Sequence, residues 1–88
     1  MPELTLNLTE VQRVRTGTEG RHLYLKARGE IPEHGNCDVY LFFDSRDEEL
    51  KFEKMFNSDE LTVIPESIEF VRGMGARIQG FRIVSKLQ

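Results

Sequence analysis

The sequence predicts a mainly β domain carrying one short helix, an α+β class. Three observations predict it. Apolar residues recur with period two in several segments, one segment alone shows helical spacing, and glycine, proline and asparagine punctuate the boundaries. The 88 residues fit one small domain spanning 1–88.

The first segment alternates Leu4, Leu6 and Leu8 with Glu3, Thr5, Asn7 and Thr9, the signature of a strand with one buried face. Val11 and Val14 break that period. A bulge near Glu10 would return Val11 to the core, which predicts one long kinked strand to about Thr16. Gly17-Thr18-Glu19-Gly20 reads as a hairpin turn. The second strand spans about Arg21 to Arg28, with Leu23, Leu25 and Ala27 on one face and His22, Tyr24, Lys26 and Arg28 on the other.

Gly29 to Asn36 holds Gly, Pro, His and Asn and is expected to be a loop. The third strand follows from about Cys37 to Asp44. It is apolar on both faces, with Cys37, Val39, Leu41 and Phe43 opposite Tyr40 and Phe42, and so is placed centrally.

The period then changes. Ser45 and Glu48 are spaced as a capping box, and Asp47 and Glu48 suit the positive end of a helix dipole. Phe52, Met55 and Phe56 form an i, i+3, i+4 stripe, predicting a helix from Arg46 to Phe56 with Asn57 as its C-cap. Leu61 to Ile64 reads as a short strand interrupted at Pro65, which resumes at Ser67 to Arg72. Gly73-Met74-Gly75 is a turn. Ala76 to Leu87 closes the domain as a strand that Gly80 marks for a bulge or a close backbone approach.

The coarse order is therefore three strands, a helix and two strands. A long bent first strand and a helix between strands 3 and 4 resemble an OB-type barrel in that respect. The expected architecture is a five-stranded OB-like barrel or half-barrel.

Composition narrows the function classes. Residues 1–30 carry a net charge of +1, residues 31–65 carry −6 and residues 66–88 carry +2. A nonspecific DNA coat is normally basic throughout, so the acidic centre counts against that role. No apolar run approaches the roughly 18 residues of a membrane-spanning helix, and the amino terminus lacks a secretory pattern. Cys37 is the sole cysteine, which excludes an internal disulfide and fits a reducing, cytoplasmic setting. Its plainer reading is a small apolar strand residue.

Catalysis finds no support. There is no phosphate-binding glycine loop followed by lysine, and Cys37, His22 and His34 assemble no nucleophile–base pair. His34, Cys37 and Asp38 leave a metal set incomplete. The expectation is a non-enzyme with no cofactor and no metal. Asp44, Asp47, Glu48 and Glu49 cluster where a helix starts, and capping on a solvated face accounts for them.

Two binding readings follow. In the first, a protein-interaction or inhibitor module uses the acidic helix, through Asp47, Glu48, Glu49 and Glu53, or an exposed strand edge, against a protein partner. In the alternative, His22, Tyr24, Lys26 and Arg28 form a basic and aromatic face for single-stranded nucleic acid. Arg13 and Arg15 would lie alongside, Tyr40 and Phe42 would extend the platform, and Arg72 and Arg77 would flank the loop between the last two strands. The plainer account has Tyr24, Tyr40 and Phe42 packing beneath the helix, since the Phe52 stripe must bury against something.

The stretch Ser67 to Lys86, SIEFVRGMGARIQGFRIVSK, resembles the closing strands of small filamentous-phage single-stranded DNA-binding proteins. The likeness is a strand–glycine turn–strand pattern over under a quarter of the chain, and the internal helix and acidic centre depart from that family. The sequence places the protein-interaction reading narrowly ahead, with no membrane partner and with either a monomer or a homodimer, since a Leu4 to Leu8 edge can pair with a second copy.

Overall fold

The computed structural model describes residues 4–17, 22–55 and 59–84. It is mainly β with one helix: β1 (Leu6–Thr16), β2 (His22–Ile31), β3 (Gly35–Phe42), α1 (Arg46–Met55), β4 (Leu61–Pro65), β5 (Ile68–Val71), β6 (Gly75–Gln79) and β7 (Phe81–Ile83). The strands form one curled sheet, a half-barrel, in the order β5-β6-β3-β2-β1-β4-β7. The helix follows the third strand, as expected.

The strand count is seven among the described residues, not the five expected. Two kinks account for the difference. One lies at residues 66–67, just past Pro65, and separates β4 from β5. The other is Gly80, whose φ of 78° separates β6 from β7. The pairing register is nonetheless unchanged across both, since Val63 faces Ile83 on one side and Ile68 faces Ile78 on the other. Across the break, the Glu66 N–H donates to the Gly80 carbonyl at 3.0 Å, and the Gln79 N–H to the Ser67 carbonyl at 3.0 Å. The four short strands are thus two halves of one bent antiparallel hairpin. In its first half β4 lies against β1 through Leu6–Val63, and in its second half β6 runs parallel to β3 through Leu41–Ile78.

The first strand bends as its sequence requires. Glu10 has a φ of 55°, and the β1–β2 register shifts between Thr9 and Gln12. This bulge turns Val11 onto the core, and the Val11 N–H donates to the Asp59 carbonyl at 3.0 Å. The expected Gly29–Asn36 loop is much shorter. β2 continues to Ile31 and β3 begins at Gly35, leaving residues 32–34 as the turn. Ile31 is buried and extends the alternation of Leu23, Leu25 and Ala27, so burial of an inward face outweighs the local turn signals.

The interior is built from Leu6, Leu8, Leu25, Val39, Leu41, Val63 and Ile78, all fully buried. Each such side chain stabilises the fold by about 1.5–3 kcal/mol. The helix joins this core through Phe52, whose ring lies 5.5 Å from that of Phe43. Ser45 caps the helix by accepting a hydrogen bond from the Glu48 N–H at 3.3 Å. The expected helix residues Phe56 and Asn57, the turn residues Thr18 to Gly20, and the strand end at Lys86 and Leu87 fall outside the described residues. No helix of the described residues is long and apolar enough to cross a membrane.

Candidate functional site

Strict alternation along β2 divides its side chains. Leu23, Leu25, Ala27 and Ile31 are buried on the inner face, while Lys26, Arg28 and Glu30 are exposed on the outer face and Tyr24 is half-buried there. Directly paired residues share a face, so the register extends this outer face across the sheet. One row reads Val14, Tyr24, Phe42 and Gln79 over β1, β2, β3 and β6. The adjoining row reads Gln12, Lys26, Tyr40, Arg77 and Glu69, reaching β5.

The rings gather where these rows meet. Tyr24 stacks on Phe42 with centroids 5.4 Å apart, and Tyr40 lies tilted 6.4 Å from Tyr24. Cations flank them. The Lys26 ammonium is 5.9 Å from the Tyr40 centroid, and the Arg77 guanidinium carbon is 5.2 Å from the Phe42 centroid. All three rings are half-buried, and none belongs to the core cluster that holds Phe52. The helix therefore buries its Phe52 against the inner face, and the expectation that Tyr24, Tyr40 and Phe42 pack beneath it does not hold. Glu49 of the helix shares a groove with Tyr24, Phe42 and Gln79 of the platform and with Thr16, Leu23 and Phe43.

Not every predicted cation joins this face. Arg13 and Arg15 pair with Leu25 and Leu23, which puts them on the opposite side. There Arg13 lies over the Phe52 ring at 5.4 Å, and Arg15 forms an ion pair with Glu53. The bulge at Glu10 reverses the parity of β1, and it is this that moves both arginines away. Arg72 is exposed in the β5–β6 turn, beyond the Val71–Gly75 pair. His22 pairs with Thr16 at the start of β2.

Carboxylates also occupy the face. Arg28 Nη1 is 2.8 Å from Asp38 Oδ1, and Arg77 Nη1 is 3.5 Å from Glu69 Oε1. Both pairs are well exposed and contribute little to stability. Asp38, Glu69, Gln12 and Gln79 are residues that reading single strands missed. Their signal lies in cross-strand register, which no one strand carries.

The acidic helix is partly committed to the fold. Glu49 is 7% exposed, and its Oε1 accepts from the Leu23 N–H at 3.0 Å and from Arg46 Nη1 at 3.1 Å. Glu53 is held by Arg15, while Asp47 and Glu48 are exposed in the first turn. Among the described residues, no group of three or more His, Cys, Asp or Glu side chains is placed to hold a metal ion.

Comparison with protein families, curated proteins and solved structures finds no match. The functional reading rests on this chain's own residues.

Proposed function

We propose that the protein binds single-stranded nucleic acid on the outer face of β2, β3 and β6. The observation that carries this reading is the cluster of Tyr24, Phe42 and Tyr40 rings, left off the core and bordered by Lys26 and Arg77. Half-exposed rings accept unpaired bases by stacking, each contributing about 1–3 kcal/mol, and the flanking cations neutralise phosphates. A duplex keeps its base faces stacked, leaving none for such a platform to stack on.

The architecture supports the same reading. With β4–β5 and β6–β7 each taken as one bent strand, the pairing supports reading the half-barrel as a five-stranded OB-like one, whose ligands commonly lie across strands 2 and 3. The protein-interaction reading loses ground because two of its four carboxylates, Glu49 and Glu53, are spent on Leu23 and Arg15.

The test is fluorescence anisotropy with a labelled mixed-sequence single-stranded DNA, titrated across salt, with a matched RNA strand in parallel. Binding should weaken as salt rises, with a logarithmic slope of about −0.7 for each phosphate neutralised. A Lys26→Ala/Arg77→Ala double variant should bind far more weakly and with a shallower slope. Absence of binding at low salt would exclude the proposal and direct the search to a protein partner.

A further inference from the structure

Resting on that reading, we propose that the groove beside the β1 bulge is a guanine-selective pocket within the single-strand site. The bulge between Thr9 and Gln12 interrupts the β1–β2 ladder and opens a groove of about 310 Å³. It is lined by Glu10, Gln12, Lys26, Ala27, Arg28 and Asp38. It adjoins the ring platform, since Lys26 belongs to both the groove wall and the Tyr40 contact. A strand stacked on the rings thus presents its next base to a polar wall.

That wall has a defined donor and acceptor pattern. Arg28 and Asp38 sit side by side at 2.8 Å, Arg28 exposed and Asp38 half-buried. A guanidinium carries five N–H donors in a fixed fork, and a carboxylate has about four acceptor positions, so the single bond between them leaves most of both unused. Guanine is the base whose Watson–Crick edge sets two adjacent N–H donors beside a carbonyl oxygen. The carboxylate of Asp38 takes the two donors and the guanidinium of Arg28 gives to the carbonyl. Lone bases in a single strand expose this edge, which a duplex conceals. Gln12, whose amide both donates and accepts, closes the groove on the β1 side.

The experiment compares an all-thymine DNA strand with the same strand carrying one central guanine, and with one carrying adenine there. The guanine strand should bind about tenfold more tightly than either, the discrimination of one good bidentate contact. In Asp38→Asn and in Arg28→Lys, the ratio of guanine-strand to thymine-strand affinity should fall to near one, whatever the absolute affinities. The Arg28→Lys variant keeps the charge and removes the fork, so it separates readout from phosphate attraction. Equal affinity of the wild type for the three strands, or a guanine preference that survives both substitutions, overturns the pocket while leaving the platform intact. Failure of every strand to bind overturns the platform and the pocket together.

Discussion

Arg77 lies over the Phe42 ring, its guanidinium carbon 5.2 Å from the centroid, although 34 residues separate the two in the chain. Only the parallel pairing of β3 with β6, the crossover that follows the helix, brings them together. The contact places a cation at one rim of the aromatic platform, as Lys26 is placed beside Tyr40.

The rings are expected to dominate affinity for a single strand. Tyr24→Ala should weaken binding by about 1–3 kcal/mol, roughly five- to 150-fold, with little change in the salt slope. Lys26→Ala should do the reverse, lowering the slope magnitude by about 0.7. Salt-titrated anisotropy separates the two effects. Equal slope changes in both variants would contradict the division of labour between ring and cation.

Arg15→Ala provides the control on geometry. Arg15 lies on the helix side, paired with Glu53, so its loss should leave single-strand affinity within about twofold. The same substitution should cost no more than about 1 kcal/mol of stability in urea unfolding, the scale of an exposed ion pair. A loss of affinity comparable to that of Lys26→Ala would show that the strand wraps onto the helix side.

Glu49 ties the helix to the start of β2. Its carboxylate satisfies the Leu23 N–H in a buried setting, so Glu49→Ala should destabilise the protein by about 1–3 kcal/mol. Glu49→Gln keeps an acceptor for that N–H and should recover part of the loss. Urea midpoints of the two variants measure the difference. Equal destabilisation would mean that the charge, through Arg46, matters more than the acceptor.

Gly75 permits the close approach of β6 to β3. Its φ is 123°, and an added Cβ would lie 2.4 Å from the Asp38 carbonyl oxygen. Gly75→Ala should therefore destabilise by more than about 2 kcal/mol, seen as a lowered thermal midpoint. An unchanged midpoint would mean that β6 can move off β3 freely.

Much of the fold was legible because it is written locally. Alternation along β1 to β3 reflects a sheet with one buried face, and Ser45 and Glu48 announce the only change of period. The outer positions of Tyr24, Lys26, Tyr40 and Phe42 follow from the same period. The β2–β3 turn was not legible at its true length. Gly29 and Pro32 signal a break locally, while burial of Ile31, a tertiary effect, keeps the strand going.

The sequence by itself determined the β-rich class, the position of the helix, the bulge at Glu10 and the two faces of β2, because period and turn chemistry act between near neighbours. The tertiary structure alone decided which neighbours those faces meet. Direction across the sheet is set by pairing register, and one bulge reverses the parity of every residue beyond it. The Glu10 bulge that Val11 announces carries Arg13 and Arg15 off the candidate face, while pairing brings Asp38 and Glu69 beside Arg28 and the expected Arg77. Whether the helix covered the rings was likewise a matter of packing. Phe52 found its burial against Phe43 on the inner face, and the platform of Tyr24, Tyr40 and Phe42 stayed open on the other.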